Sequence, residues 1–491
     1  MTEPTAFTLR TEVDLPVPFW RCAAPAAADQ PVFLLDSGPE AVRRGRYSYL
    51  GRRPLALLNG KRAGPGSREM TFERTDWRTA GGQLLSAPVV SRFTGDPFVT
   101  LRNLLAECPP GGNAVPHTPF TSGLVGYIGY ETAYAIEHLP DTGQDDLQLP
   151  DLMFMVVDEV LVFDHERDVA ALYVTGRGPR AEADAQVRTE QWHNELASLE
   201  PSPAVAPRGA IPTLRAHFDR SLYKAVVQQC REHILAGDVF EVCLTHRLEM
   251  DLPGPAWDLY GVLRGLNPAP FASYLQLPGF TVVSASPESF LHLGADGVAE
   301  SRPIKGTRPR GDTPAEDARL KTELGESEKD LAENIMIVDL VRNDLGKVCR
   351  IGSVTVPKLQ EVESYATVHQ LVSTVRGELK PEYDAFDLVR ACFPGGSMTG
   401  APKIEAMKII DRLEPVKRGV YSGALGYFDA GGACDLAMVI RTIVCRDGVG
   451  TFGVGGAVVA DSDPDAEYDE TMDKARALIA AITQLAAGGG A

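Results

Sequence analysis

The order of its elements constrains this chain more than any single motif. From Pro31 to about Tyr173, short β-rich runs follow one another, each cut off by Gly, Pro or Asp; Val32 to Leu35, Gly123 to Tyr130, Leu152 to Phe163 and Ala170 to Val174 are examples. A helix pattern at 179 to 198 closes this mostly-β region, residues 1–200. Glu200-Pro-Ser-Pro-Ala-Val-Ala-Pro-Arg-Gly then puts three prolines in seven residues, which excludes helix and central strand and predicts a linker or long surface loop. In the second region, 214–488, helix patterns at Arg220 to Ala236, 314 to 345, 384 to 392, 402 to 413 and 465 to 487 alternate irregularly with strands. These run from Val239 to Leu248 and near 281 to 293, 423 to 429, 436 to 445 and 450 to 460. The order is neither strict β-α-β alternation nor strands alone, so it predicts an α+β fold with large antiparallel sheets.

Charge narrows the partners. With 48 Lys and Arg against 66 Asp and Glu, the formal net charge is −18, and no uniform basic face exists for nucleic acid. An anionic substrate would need a local cluster of Arg, Lys, metal or backbone N–H groups. The 8 cysteines are scattered without a C-x-x-C pair, which favours a reducing compartment. Met1 to Arg10 has no signal-like apolar core and no run of eighteen apolar residues occurs, so the expectation is a cytoplasmic protein, not a membrane one.

Ser301-Arg-Pro-Ile-Lys-Gly-Thr-Arg-Pro-Arg310 is the first candidate for chemistry. Its prolines allow an edge strand, in which Lys305 and Thr307 would share a face. Arg302, Arg308 and Arg310 would disfavour the ammonium form of Lys305, giving a reactive amine; the alternative is a solvated basic loop. To be mostly neutral at pH 7, a lysine pKa must fall from about 10.4 to below 7, roughly 4–5 kcal/mol. Asp330 and Glu333, and likewise Glu467 and Glu470, are spaced i, i+3 on helix patterns. Such pairs suit a hard cation such as Mg²⁺, or else simply complement a helix dipole. Pro394-Gly-Gly-Ser-Met-Thr-Gly-Ala-Pro-Lys403 is a glycine-rich loop that should place Pro402 at the first helical position, with N–H groups open to a carboxylate. It is not a phosphate loop, because Ala401 follows the second glycine of the pattern. Gly453-Val-Gly-Gly-Ala-Val permits close backbone approach, and Arg441, on a strand pattern, either clamps a carboxylate or forms a surface ion pair. Cys243 reads as core, and His369 as either a general base or hydrogen-bonded packing.

Taken in order, these segments resemble the chorismate-utilising enzymes, and within them the aminodeoxychorismate synthase component I branch. The resemblance is dense over roughly 215 to 487: Ser286-Pro-Glu-Ser-Phe290, the run ending at Thr307, Lys329-Asp-Leu-Ala-Glu-Asn, Val338 to Asp344, the 394–403 loop, Gly423 to Tyr427, Val459-Ala-Asp-Ser-Asp, and Glu467 to Lys474. Looser matches are Leu34-Leu-Asp-Ser37, Arg46 to Gly51 and Gly123 to Tyr130.

The resemblance implies a layered sandwich of two antiparallel sheets with outer helices, whose 214–488 region binds chorismate. It implies Mg²⁺-dependent amination of chorismate at C4, toward p-aminobenzoate and folate, with ammonia from a separate glutamine amidotransferase subunit or free ammonium. Lysine at 305, where anthranilate synthases carry a small residue, implies that Lys305 attacks ring C2 while Glu288 acts as acid at the C4 hydroxyl. Metal ligation falls on Glu333 and Glu470, with Asp330 and Glu467 close by. Chorismate contacts fall on Gly306, Thr307, Tyr421, Arg441, Gly455, Gly456 and Ala457, the ring carboxylate near the metal and Arg441 at the other anionic end. Gln370, Ala457 and Glu241 depart from the pattern of relatives; Gln370 stands where anthranilate synthases have a histidine. The rival readings are anthranilate synthase component I, which releases pyruvate, and a non-catalytic chorismate-binding or scaffold subunit.

Overall fold

Antiparallel pairing organises the strands into two sheets of twelve, in a computed structural model that describes residues 6–24, 30–38, 45–79, 84–109, 119–200, 209–365 and 368–488. Both sheets draw on both halves of the chain. In the first sheet Val32–Asp36 pairs with Phe271–Leu277. In the second, Gly123–Ile128 pairs with Ala424–Asp429. The proline-rich stretch after Glu200 lies at 201–208, outside the described residues.

The alternation of each strand puts one apolar face inward. Phe33, Tyr127, Met155, Leu275, Val282, Leu425 and Val444 fill the space between the sheets; each large apolar side chain so buried contributes about 1.5–3 kcal/mol relative to exposure. Helices cover the outer faces: Ala181–Ala197, Ala256–Leu266 and Pro464–Ala487 close the core of the first sheet. Glu328–Val348, Ala385–Cys392 and Pro97–Ala106 close that of the second. The expected layered α+β sandwich is therefore the fold. Among the described residues no helix is long and apolar enough to cross a membrane.

Three departures from the sequence reading matter for the site. The helix expected over 314 to 345 is two helices, Pro314–Glu326 and Glu328–Val348, because Ser327 leaves helical geometry (φ −69°, ψ 104°) and its hydroxyl caps the second by accepting from the Asp330 N–H. The strand near 281 to 293 is two strands, Phe280–Ser286 in the first sheet and Ser289–Leu293 in the second. The strand at 436 to 445 divides likewise into Cys434–Met438 and Thr442–Arg446, with Arg441 between them in a left-handed conformation (φ 51°) and not on a strand.

Candidate active site

The two crossings from sheet to sheet run side by side. Met438 N–H donates to the Glu288 carbonyl at 3.0 Å, Ala285 N–H donates to the Arg441 carbonyl at 3.1 Å, and the Ser286 hydroxyl donates to the Met438 carbonyl at 2.6 Å. Glu288 and Arg441, 153 positions apart in sequence terms and on unrelated motifs, thus sit at neighbouring corners. No local pattern encodes this; the crossings do.

Lys305 reaches the site from the edge strand Ile304–Pro309 of the second sheet. The register shifts between Ile304 and Thr307, and Gly306 adopts φ 82°, so regular alternation is lost. Lys305 turns inward with its side chain 10% exposed, while Thr307 is exposed, which corrects the expectation of a shared face. Gly306 is needed there: a Cβ would lie 2.8 Å from Asp330 Oδ1.

The lysine is not neutral. Arg302 pairs with Glu363 and Arg310 with Asp317, while Arg308 pairs with Glu323 and Asp330, so each arginine is directed to a carboxylate of its own. Lys305 Nζ donates to Glu241 Oε1 at 2.7 Å and lies 3.7 Å from Glu333 Oε2. Burial favours the neutral amine, but Glu241 and Glu333 outweigh it and raise the pKa above that of a free lysine. The expectation of an uncharged resting amine is overturned, because sequence neighbours are not spatial neighbours.

The helix N-terminal turns of Glu328–Val348 and Pro464–Ala487 bring their carboxylates to the same place. Lys329 Nζ lies 3.8 Å from Glu333 and 3.6 Å from Glu467, and Lys474 donates to Glu470 at 2.6 Å and to the Gly455 carbonyl at 2.8 Å. Burial pushes Glu333 up to about 7 against the pull of Lys305, and it raises Glu467 as well; Glu470, also opposed by burial, is held below the usual range by Lys474. Asp330 is engaged elsewhere, 3.1 Å from Arg308.

Among the described residues no three metal-ligating side chains are already drawn into a ligand set. Yet Glu333 Oε1 and Glu467 Oε2 are buried without hydrogen-bond partners among those residues, and an all-carboxylate donor set is the chemistry a hard divalent cation takes. The residues fit Mg²⁺ in donor type. A Cβ on Gly456 would lie 2.9 Å from Glu467 Oε2 and 3.6 Å from Glu470 Oε1. Gly456→Ala is therefore expected to weaken Mg²⁺ binding at these carboxylates several-fold, since only side-chain ends must shift; calorimetric Mg²⁺ titration and a thermal melt check affinity and fold separately.

Glu288 faces the 394–403 loop, whose Ser397 hydroxyl donates to Glu288 Oε1 at 2.9 Å. The loop is tied down by Lys403, which donates to the carbonyls of Cys392 (2.7 Å) and Pro394 (2.8 Å). Pro402 caps the helix Lys403–Leu413 from an extended conformation (ψ 141°) and is not its first residue as expected, because Gly400-Ala401 pairs as a strand with Glu241-Val242 up to that point. Burial pushes the Glu288 carboxyl up to about 7, partly offset by Ser397 and Lys305. Its protonated, acid form is thus present at pH 7 and lost above it. With Glu288 as the acid that the resemblance implies, turnover should fall about tenfold per pH unit above pH 7, and Glu288→Gln should abolish this limb while lowering kcat by about 10²–10⁴; a pH–rate profile of both proteins checks this.

Arg441 has no ion-pair partner among the described residues; burial lowers its pKa, against Tyr421, Glu470 and Glu288. Such a guanidinium fits a carboxylate clamp. Tyr421 packs over Gly453, where a Cβ would come within 2.2 Å of its ring. Gly455, Gly456 and Ala457 lie on Val449–Val458, opposite Thr245, Leu244 and Cys243. Cys243 is buried, as are all the free cysteines. Both ring nitrogens of His369 are taken, by Ser364 at 2.8 Å and Asp317 at 2.9 Å, which is hydrogen-bonded packing. Gln370 is buried opposite Thr307. Sequence reasoning missed Ser397, Lys329 and Lys474 as site residues, although each lies within a motif that carries the resemblance.

A family model described as chorismate binding enzyme matches residues 89–480. The chain is 47% identical to an aminodeoxychorismate synthase of Streptomyces pristinaespiralis over 94% of its own length and 63% of that protein's. It thus spans under two thirds of that relative. An anthranilate synthase component 1 of Streptomyces coelicolor is 39% identical, over 92% of this chain and 84% of its own. The crystal structure of anthranilate synthase component I from Streptococcus pneumoniae TIGR4 superposes with TM-score 0.74 at 29% identity, covering 89% of this chain and 92% of that one. A family match over most of the length, together with relatives this similar, settles the affiliation: the chain belongs to the chorismate binding enzyme family.

Proposed function

We propose that this chain aminates chorismate at C4, giving 4-amino-4-deoxychorismate for p-aminobenzoate and folate synthesis. The observation that carries this reading is Lys305: a nearly buried amine on a bulged edge strand, directed into a carboxylate-lined site beside Glu288. The relative from Streptomyces pristinaespiralis named for this reaction supports it.

In this reading Lys305 Nζ bonds to ring C2, the two ring double bonds each shift one position, and the C4 hydroxyl leaves as water with the proton of Glu288. Ammonia then bonds to C4, the double bonds return, and the Lys305 nitrogen leaves C2. Arg441 holds a carboxylate of chorismate, and Gly455 and Gly456 let the ring approach the strand backbone. Mg²⁺, held by Glu333, Glu467 and Glu470, would supply charge neutralisation for the ring carboxylate and the departing hydroxyl. The role of Asp330 is to secure Arg308 beside the Gly306 turn; Thr307 and Ala457 are further chorismate contacts in this reading. Ammonia comes from a separate glutamine amidotransferase subunit or from free ammonium.

The test is incubation of the purified chain with chorismate, Mg²⁺ and ammonium, with products identified by mass and pyruvate assayed. An aminated product that keeps its enolpyruvyl group and no pyruvate is expected. Anthranilate with stoichiometric pyruvate, or no turnover despite chorismate binding, would reject the reading.

A further inference from the structure

An ammonium has no lone pair, so Lys305 must shed a proton before its nitrogen can bond to carbon, and in a buried site the acceptor must be within hydrogen-bond reach. Glu241 stands there. Its Oε1 accepts from Lys305 Nζ at 2.7 Å, whereas Glu333 is at 3.7 Å, an ion-pair distance and not a hydrogen bond. Glu241 is fully buried, and its Oε2 has no hydrogen-bond partner among the described residues.

A carboxylate that serves only structure is treated differently in this molecule. Glu414, also buried, accepts from Arg418 through both oxygens and from the Thr245 N–H and hydroxyl. Glu241 is instead committed to the amine alone. Its backbone is fixed: it opens the strand Glu241–Asp251, pairs with Ala401, and its carbonyl lies 2.1 Å from where a Cβ of Gly400 would stand.

We propose that Glu241 is the general base for Lys305, an inference that rests on the nucleophile role given above. One proton passes from Nζ to Glu241 Oε1 as the N–C2 bond forms, leaving a secondary ammonium on the ring. The C4–O bond breaks and water leaves with the proton of Glu288, so net charge is unchanged. When ammonia bonds to C4 as its ammonium, the N–C2 bond breaks, and the lysine nitrogen takes the proton back from Glu241. No outside acid or base is consumed at the lysine.

Glutamine at 241 preserves shape and a hydrogen-bond acceptor but cannot take the proton. The experiment mixes the full chain with chorismate and Mg²⁺ without ammonium, quenches at intervals, and follows the covalent adduct (chain plus chorismate less one water) by intact mass. Equilibrium dialysis measures chorismate binding in parallel. Glu241→Gln is expected to slow adduct formation about a hundredfold with chorismate affinity within threefold of the parent. A slowing of less than tenfold would overturn the proposal, as would loss of chorismate binding, which would make Glu241 a binding residue. Glu241→Asp keeps the carboxylate and should form adduct at least tenfold faster than Glu241→Gln; a folded, chorismate-binding Glu241→Asp that forms none would also overturn it. Absence of adduct and aminated product in the parent chain would reject the nucleophile reading itself, an outcome distinct from a variant that behaves like an active parent.

Discussion

Replacing Lys305 by alanine is expected to eliminate the covalent adduct with chorismate and to lower amination about a thousandfold, equivalent to about 4 kcal/mol of transition-state stabilisation. The argument is geometric. Lys305 is the nitrogen that the bulge at Gly306 turns into the site, and its Nζ is the group that Glu241 and Glu333 jointly address. Alanine removes the nucleophile, leaves the buried Glu241 without its cation and takes from Glu333 one of the two ammonium groups beside it, Lys329 remaining at 3.8 Å. Some of that loss would therefore arise from repelling charges and some from missing chemistry. Intact-mass analysis separates the two, since only loss of the nucleophile removes the adduct while chorismate still binds. An adduct that persists, or an unchanged rate, would exclude the covalent route.

The second large effect is on stability. Arg418→Ala should destabilise the fold by about 3–5 kcal/mol, the range for breaking a buried ion pair by removing one partner. Arg418 donates to Glu414 at 2.6 and 2.8 Å, to the Met398 carbonyl at 2.6 Å and to the Cys243 carbonyl at 2.8 Å, and lies over the Tyr130 ring. Its removal would strand a buried carboxylate and two carbonyls, costing far more than loss of a surface pair. It would also loosen the strand that carries Glu241 from the loop that carries Ser397. A lowered urea midpoint is the readout. Arg220→Ala, whose partners Asp465 and Asp469 are on the surface, is the control and should change stability by less than about 1 kcal/mol. Equal midpoints for the two variants would refute the assignment of Arg418 as a buried anchor.

Much of the fold was legible before any coordinates. Strand runs bounded by Gly and Pro, and the irregular succession of helices and strands, predicted antiparallel layers, because period-2 and period-3.6 burial are written locally in the chain. The acidic pairs fell on helices as expected, and the glycine run that contains Gly456 is a place of close backbone approach. What failed was local inference applied across a turn. Ser327 interrupts one helix by a cap, and the strands at 281 to 293 and 436 to 445 change sheets midway, so Glu288 and Arg441 became neighbours only through paired crossings.

The charge state of Lys305 shows the same division. Sequence determined that a lysine stood on a proline-bounded edge strand among arginines, and that the motifs around it matched one family. Tertiary structure alone decided that those arginines turn to other carboxylates while Glu241, from the opposite sheet, meets the amine. The physical reason is distance: Coulomb and hydrogen-bond energies depend on separation in space, which the chain sets only after both sheets have closed.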